Sequence, residues 1–150
     1  MTTNNTEKTT SSLKIYFAGS IAGGRKYLDT YIEIVDFLKK GGHQVLSDHI
    51  VRPDVLEYEK NFTDGEVFER DLEWINRCDI FIAEVSNPSL GVGYEIGYAL
   101  SINKNVLCLY GEEVFLTRML TGNNSPCLTL KKYDSEKSMK EGLKIFLKNS

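Results

Sequence analysis

The stretch DIFIAEVSNPSLGVGYEIGYAL, residues 79–100, sets the pattern for the whole chain. It begins with an apolar run of strand length, passes through a loop that contains proline and glycine, and ends in a segment typical of a helix. Its three glycines, Gly91, Gly93 and Gly97, follow the spacing G-x-G-x-x-x-G, one residue longer than the dinucleotide-binding signature. Glu95 lies between the second and the third of them. The stretch therefore predicts a strand, a ligand-approaching loop and a helix, with a carboxylate where a phosphate would normally bind.

Strands and helices alternate on both sides of this unit. Short apolar runs predict strands and a 3.6-residue periodicity predicts helices, whereas Pro53 and the NFTDG segment indicate a loop. The predicted strands cover residues 13–18, 43–49, 79–85, 105–110 and 127–133, the helices 27–40, 66–78, 93–102, 112–120 and 138–148, and the loop 50–64. Such alternation is typical of βαβ units. We therefore predict a doubly wound α/β fold, Rossmann-like or flavodoxin-like, in which a five-stranded parallel sheet has helices on both faces.

Three loops follow the carboxyl ends of predicted strands, where ligands bind in doubly wound sheets. Their sequences are AGSIAGG (18–24), SDHIV (47–51) and SNPSLGVGYE (86–95). We expect the first and the third loop to be close neighbours, which places a candidate ligand site at this edge of the sheet.

The composition is that of a single globular domain. The 150 residues are 41% hydrophobic and 26% charged, so we predict one domain over residues 13–150. Residues 1–12, rich in Thr, Asn and Ser, are expected to form a disordered tail. The net charge of −3 and the pI near 5.5 argue against a nucleic-acid partner. The absence of a membrane-length apolar run or a signal-peptide segment predicts a protein with no membrane partner, located in the cytoplasm. The nucleus is expected as a second location.

The cysteines and histidines do not indicate a metal site. Cys78, Cys108 and Cys127 are odd in number and far apart, so they predict neither a disulfide framework nor a zinc site. Cys78 and Cys108 lie in or beside apolar runs, which predicts buried free thiols in a reducing compartment. No ligand spacing surrounds His43 or His49. We therefore predict neither a metal nor any other cofactor.

Glu95 is the first candidate for chemistry. Gly91 and Gly93 allow the chain to turn tightly after the strand, and the helix is predicted to start near Gly91 or Val92. Glu95 would then lie in the first turns, where free N–H groups and the helix dipole favour negative charge. A carboxylate that stays ionised there suits a nucleophile or an electrostatic stabiliser. The alternative is an acidic residue that only decorates a helix N-terminus.

Asp71 is the second candidate, because it flanks the apolar face of the predicted helix 66–78. A carboxyl group pressed against an apolar face tends to have a raised pKa, which suits a general acid. The alternative is a half-buried aspartate paired with an arginine or a lysine. The neighbouring charged residues Glu69, Arg70 and Glu73 are expected to be solvated.

Four further residues have weaker signals. Tyr16 lies in the first strand and is either a core aromatic or a hydroxyl that needs a partner near the ligand edge. Ser20 and Ser89 lie in glycine loops beside potential N–H donors to phosphate, although serines in loops are usually turn formers. His49 lies just past a strand. It is either a candidate site residue or a polar group whose hydrogen bonds are satisfied within the protein.

Taken together, these residues resemble a known family. The segments IYFAGSIAGGR (15–25), ERDLEWINRCDIFIAEVSNPSLGVGYEIG (69–97) and KNVLCLY (104–110) are similar to the 2'-deoxynucleoside 5'-phosphate N-hydrolases of the nucleoside 2-deoxyribosyltransferase family. The resemblance extends over residues 13–121. It implies that the enzyme cleaves a nucleoside 5'-monophosphate with water into a free base and a sugar 5-phosphate.

The resemblance also implies roles for individual residues. Glu95 matches the nucleophile that forms a covalent deoxyribosyl-enzyme, Asp71 the aspartate that handles proton transfer with the base, and Tyr16 a tyrosine beside the nucleophile. His49 matches a histidine near the base. Thr117 aligns with a serine that reaches into the phosphate site of a second subunit, so a homodimer is implied. The implied substrate-binding residues are Gly19, Ser20, Ile21, Ala22, Gly23, Arg25, His49, Ser89, Gly91 and Thr117.

Two positions depart from the family pattern. Ala22 stands where the family usually has an arginine, and Arg25, three residues on, is left open as its substitute. Thr117 keeps the hydroxyl of the family serine and adds a methyl group.

Two other functions stay open from the sequence. A deoxyribosyltransferase would pass the sugar to another base and use nucleosides without phosphate. Ser89 and Thr117 favour the hydrolase, whereas Ala22 slightly favours the transferase. A non-catalytic nucleotide-binding module of the same fold would use the carboxylates only to position a ligand. The joint presence of Tyr16, Asp71 and Glu95 argues against the module.

Overall fold

The computed structural model describes residues 11–150. Residues 1–10 of the predicted tail (1–12) therefore lie outside the described residues. The strands are β1 (Lys14–Ala18), β2 (Gln44–Val45), β3 (Ile80–Glu84), β4 (Asn105–Gly111) and β5 (Leu128–Tyr133). The helices are α1 (Leu28–Lys40), α2 (Val55–Glu59), α3 (Asp64–Arg77), α4 (Leu90–Ser101), α5 (Arg118–Thr121) and α6 (Glu136–Lys148), with a 3₁₀ helix at Asp48–Val51. Within this range, no helix has both the length and the apolar character required to cross a membrane.

All neighbouring strands pair in parallel, in the order β2-β1-β3-β4-β5. The chain leaves β1 for β2 on one side and returns to β3 on the other side, so the strand order reverses between β1 and β3. This reversal opens a crevice at the carboxyl ends of β1 and β3, where doubly wound proteins bind ligands. The predicted five-stranded α/β fold is confirmed, with β5 as an edge strand.

Alternate residues of the strands form two cores, one on each face of the sheet. On one face, the core joins strand residues to α1 and α6, and its members include Ile15, Phe17, Ile82, Leu107, Tyr31, Ile34, Met139 and Leu143. On the other face, the core joins strand residues to α3 and α4, and its members include Tyr16, Phe81, Ala83, Cys108, Ile75, Val92 and Ile96. The second face therefore carries the two helices that hold Asp71 and Glu95.

The second strand is much shorter than predicted. The sequence predicts a strand over 43–49, but β2 has only two residues. The side chain of Ser47 explains the difference, because its Oγ accepts from the N–H of Phe17 at 2.9 Å and donates to the carbonyl of Phe17 at 2.6 Å. A side chain here replaces the backbone ladder, and the chain turns into the 3₁₀ helix. The segment predicted as a loop, 50–64, contains the short helix α2.

The predicted helix over 112–120 is wrong for most of its length. Helix α5 covers only Arg118–Thr121, and the hydroxyl of Thr117 caps it by accepting from the N–H of Met119 at 3.3 Å. Phe115, an apolar residue inside the predicted helix, is fully exposed. The apolar residues of this segment therefore do not form the buried face of a helix packed against the chain's own core.

The prediction of buried free thiols is confirmed for two cysteines. Cys78 and Cys108 are unpaired and buried. Burial raises the pKa of Cys78 to about 11 and that of Cys108 to about 12. Both thiols are therefore protonated and unreactive at neutral pH.

Candidate active site

A buried tyrosine and a glutamate meet at the carboxyl edge of the sheet. Tyr16, from β1, is only 3% exposed, and its hydroxyl donates a hydrogen bond to Oε2 of Glu95 on α4. Ser89 caps α4 by accepting from the N–H of Val92 at 3.3 Å, which fixes where the helix begins. The sheet and this cap together bring residues that are 79 positions apart into contact.

The protonation of Glu95 differs from the prediction. Its pKa is raised to about 7, mainly by burial, and the Tyr16 hydrogen bond and the charge of Arg70 lower it whereas the charge of Asp71 raises it. Glu95 is the sixth residue of α4, beyond the first turn in which the helix dipole acts strongly. The expectation that the dipole keeps Glu95 ionised is therefore wrong for the free protein. Both protonation states are populated near neutral pH.

Asp71 combines the two alternatives that the sequence left open. It lies on α3 and is mostly buried, and burial raises the pKa of its carboxyl group. Its Oδ1 also accepts a hydrogen bond from Nε of Arg70 at 2.9 Å, which opposes that rise. The negative charge of Asp71 in turn raises the pKa of both Tyr16 and Glu95. Asp71 and Glu95 are thus electrostatically coupled across one crevice.

Arg70 is a member of the site that the sequence analysis missed. Its side chain is only 17% exposed, so the expectation that Arg70 is solvated is wrong. Its Nη1 and Nη2 donate to the two carboxylate oxygens of Glu59 at 3.3 Å and 3.0 Å. Its guanidinium carbon lies 4.9 Å from the ring centre of Trp74, a cation–π contact. The i,i+4 spacing of Arg70 and Trp74 was the available signal, but the partner Glu59 belongs to the unpredicted helix α2.

His49 joins the same cluster from the 3₁₀ helix. Its Nε2 lies 3.0 Å from Oε1 of Glu59 and 3.3 Å from Nη2 of Arg70, and its ring centre is 5.5 Å from that of Trp74. Burial, followed by the charge of Arg70, lowers the pKa of His49. Its Nδ1 is buried and has no hydrogen-bond partner among residues 11–150. The imidazole is therefore neutral at physiological pH and retains one unused ring nitrogen.

The first and third loops are close neighbours, as predicted. The side-chain amide of Asn87 donates to the carbonyls of Gly23 and Gly24, each at 3.2 Å. A side chain at position 23 would meet the carbonyl oxygen of Pro88 at 2.8 Å. Only glycine therefore allows the two loops to approach this closely.

The interior of the first loop is closed to a ligand. Ser20 is fully buried, its N–H donates to the hydroxyl of Tyr31 at 3.0 Å, and its Oγ has no partner among the described residues. Gly19 lies against the Tyr31 ring, which a Cβ atom at this position would meet at 2.8 Å. The hydroxyl of Ser20 is therefore not presented to the crevice. The tip of the loop, with Ile21 partly exposed and Ala22 exposed, is what faces outward.

Arg25 is bound to backbone carbonyls. Its Nη1 donates to the carbonyl of Ser20 at 3.1 Å, and its Nη2 donates to those of Ile50 and Arg52 at 2.5 Å and 3.2 Å. The guanidinium thus ties the first loop to the segment after β2. This arrangement argues against Arg25 as the substitute for the arginine that Ala22 lacks.

Thr117 lies apart from the rest of the candidate site. It is exposed at the start of α5, and the described part of the chain shows no hydrogen bond from it to either glycine loop. Large exposed apolar side chains occur around it and on α4. They are Phe115, Met119, Leu90 and Tyr94. Of the residues predicted from sequence, the structure brings Tyr16, Asp71, Glu95 and His49 into one cluster and leaves Thr117 outside it.

Comparison with known proteins gives consistent matches. A family model described as nucleoside 2-deoxyribosyltransferase matches residues 15–137. A Methanosarcina mazei protein provisionally named 2'-deoxynucleoside 5'-phosphate N-hydrolase 1 is 39% identical over 134 residues, which are 89% of this chain and 83% of that protein. The 5-hydroxymethyl-dUMP N-hydrolase of Esox lucius is 46% identical over 101 residues, 65% of this chain and 69% of that protein. Among solved structures, a Clostridium botulinum CMP N-glycosidase has a similar fold, with a TM-score of 0.68 at 19% identity over 89% of this chain and 98% of that one.

Proposed function

This chain belongs to the nucleoside 2-deoxyribosyltransferase family, and we propose that it hydrolyses the N-glycosidic bond of nucleoside 5'-monophosphates. The products are a free base and a sugar 5-phosphate, with 2-deoxyribose as the expected sugar. The observation that carries the proposal is the hydrogen bond between the buried Tyr16 and the partly buried Glu95, with Asp71 beside it at the carboxyl edge of the sheet. The names of the Methanosarcina and Esox relatives support the same chemistry.

The two carboxyl groups divide the reaction between them. Glu95, when ionised, attacks the anomeric carbon as the bond to the base breaks, and a covalent glycosyl-enzyme forms. Asp71, when protonated, gives its proton to the departing base, and its carboxylate then takes a proton from the water that hydrolyses the intermediate. The negative charge of Glu95 also stabilises the positive charge that develops on the sugar. The Tyr16 hydroxyl holds the attacking carboxylate in place.

Backbone groups bind the 5'-phosphate in this proposal. The N–H groups of Leu90 and Gly91 lie in the first turn of α4, where they and the helix dipole attract an anion. Ser89 and the exposed tip of the first loop complete the site from the adjacent side. Because Ala22 brings no cation, the site depends on these dipoles, in agreement with the acidic pI near 5.5.

A homodimer completes the site. The proposal places Thr117 in the phosphate site of a second subunit, because the residue lies away from its own chain's cluster. The exposed apolar side chains on α4 and around α5 support an interface there, since solvation of Leu90, Tyr94 and Met119 is unfavourable in a single chain. His49 faces the base in the same arrangement and offers its unused ring nitrogen.

The two buried free thiols support a reducing location. Cys78 and Cys108 are unpaired in the described part of the chain, which is the usual state of cysteines in the cytoplasm. We therefore place the protein in the cytoplasm, with the nucleus as an additional location. Fractionation of the source cells with an antibody against the protein tests this placement.

The direct experiment is a panel of nucleoside and deoxynucleoside 5'-monophosphates, with release of free base followed by chromatography. We expect base release from at least one phosphorylated substrate and none from the corresponding unphosphorylated nucleoside. A second free base is then added to each active reaction. A swapped nucleotide would identify a transferase, and binding without base release from any substrate would identify a nucleotide-binding module.

The Tyr16 hydrogen bond predicts a change in pH dependence. It lowers the pKa of Glu95, so Tyr16→Phe should raise that pKa above its value of about 7. Because Glu95 attacks as the carboxylate, activity is present above this pKa and is lost as the pH falls through it. The fraction of Glu95 carboxylate, and with it kcat/KM, should therefore fall more at pH 6 than at pH 8. An equal loss at both pH values would show that the hydroxyl does not stabilise the carboxylate.

A further inference from the structure

The guanidinium of Arg70 lies between two carboxylates that use different edges of it. Glu59 takes the edge formed by Nη1 and Nη2 with both of its oxygens, at 3.3 Å and 3.0 Å. Asp71 takes the edge formed by Nε and Nη2 with a single oxygen, Oδ1, which lies 2.9 Å from each of the two nitrogens. Its other oxygen, Oδ2, accepts no hydrogen bond from the residues between 11 and 150. Glu59 thus binds the guanidinium with both of its oxygens, whereas Asp71 binds it with one oxygen and leaves the other free.

The guanidinium cannot move easily from this position. The Arg70 side chain packs between Phe62 and Trp74, with its central carbon 5.3 Å and 4.9 Å from their ring centres. His49 lies against its Nη2 at 3.3 Å. Planar stacking and bidentate contact together restrict a guanidinium more than a simple ion pair does. Arg70 therefore presents a fixed edge to Asp71.

The charge balance makes Glu59 important for Asp71. The titratable groups that act on Asp71 come from five elements, and they are Tyr16 on β1, His49 on the 3₁₀ helix, Glu59 on α2, Arg70 on α3 and Glu95 on α4. Arg70 favours the ionised form of Asp71, whereas Glu59 favours the protonated form. Without Glu59, the Arg70 charge would favour the ionised form of Asp71 more strongly. The negative charge of Glu59 offsets part of the Arg70 charge, and so preserves the ability of Asp71 to hold a proton.

We propose that Glu59 and Arg70 form a positioning pair for Asp71, in which Glu59 fixes the guanidinium so that it binds only Oδ1 and leaves Oδ2 to hold and transfer a proton. Neither residue is assigned contact with the substrate; both act through Asp71. The part of the inference that concerns transfer to the base rests on the proposed function. The part that concerns the proton affinity of Asp71 does not.

The test compares Glu59→Gln with Arg70→Gln, because the two changes should act in opposite directions. Glu59→Gln removes the charge that offsets Arg70, so the pKa of Asp71 should fall. Arg70→Gln removes the charge that favours the carboxylate, so the pKa should rise. The carboxyl ¹³C resonance of Asp71, assigned by its loss in Asp71→Asn, reports this pKa without any need for activity. Glu57→Gln and Arg77→Gln are the matched controls, since both of these residues lie in exposed ion pairs.

The same variants are then assayed for base release. Asp71 donates its proton to the base only when protonated, so activity is lost as the pH rises through its pKa. At pH values above the pKa of Asp71, kcat/KM should fall in Glu59→Gln and rise in Arg70→Gln, and Arg70→Lys should return it part of the way to the wild-type value. At pH 8, Glu59→Gln should lose about tenfold in kcat/KM for bases that leave poorly and less than about twofold for bases that leave readily.

The outcomes separate this inference from the proposed function. If the pKa of Asp71 falls in Glu59→Gln and rises in Arg70→Gln, the positioning pair is supported. If the two variants shift this pKa in the same direction, or not at all, the pair is overturned. If the pKa of Asp71 moves as expected while kcat/KM above that pKa stays unchanged, the pair stands and the role of Asp71 as the acid in the proposed function fails. A variant that merely folds poorly has a lower melting temperature and loses activity equally at all pH values and for all leaving groups. Such a variant does not produce pKa shifts of opposite sign in Glu59→Gln and Arg70→Gln.

Discussion

Glu95→Gln should abolish base release and leave nucleotide binding nearly unchanged. The amide cannot attack the anomeric carbon or stabilise the positive charge on the sugar, so the loss falls on the transition state. We expect kcat to fall on the order of 10³-fold or more, as it does when a nucleophile is removed from other enzymes. The dissociation constant of the nucleotide, measured by calorimetry, should change by less than about threefold because the proposed phosphate contacts are made by the backbone.

Glu73→Gln is the matched control, because Glu73 is an exposed glutamate on α3 that pairs with Arg77. This variant should keep full activity. Trapping gives a second measurement, since acid quenching of the wild type during turnover should leave a sugar phosphate attached to the peptide that contains Glu95. The nucleophile assignment would be withdrawn if Glu95→Gln kept more than a few per cent of wild-type turnover with the same products.

Two inactive variants should restore activity when their subunits exchange. In the proposed homodimer, each site takes Glu95 from one chain and Thr117 from the other. Glu95→Ala lacks the nucleophile, and Thr117→Glu places a negative charge against the phosphate. A heterodimer of the two collects both changes in one site and neither in the other. Random exchange at equal amounts gives about half heterodimers, so about a quarter of all sites should be intact.

The mixture should therefore regain about 25% of wild-type activity from two preparations that are each close to zero. Exchange is verified by mass spectrometry of differently tagged chains. Thr129→Glu is the matched control, because Thr129 is an exposed threonine on a different element, β5. If exchange occurs and activity stays at zero, each site is closed within one chain and the proposed role of Thr117 must be abandoned.

The fold was predictable because its signals are local. Each strand except β2 coincides with an apolar run in the sequence, and each long helix coincides with a segment of regular apolar spacing. The errors arise where a tertiary contact overrides local pattern. Ser47 ends β2 through hydrogen bonds to Phe17, a residue 30 positions away. The helix predicted over 112–120 fails because Thr117 starts α5 late and Phe115 has no core of its own chain to pack against.

Part of the candidate site was predictable from the sequence, but its electrostatics were not. Tyr16, Asp71 and Glu95 were identified from motif and helix position, and the structure brings them together. The expectation of an ionised Glu95 failed because burial, which a sequence does not show, outweighs the helix dipole at its sixth position. Arg70 was taken for a surface charge because its partner Glu59 lies in a segment without helical periodicity.

The contact between Tyr16 and Glu95 also has a consequence for how the chain folds. The two residues are 79 positions apart, and they meet only after β1 and β3 have paired. Helices form from nearby residues and appear early, whereas parallel strand pairing has to close long loops and is slow. In a refolding experiment, enzymatic activity should therefore return later than the helical circular dichroism signal, so that activity marks completion of the sheet.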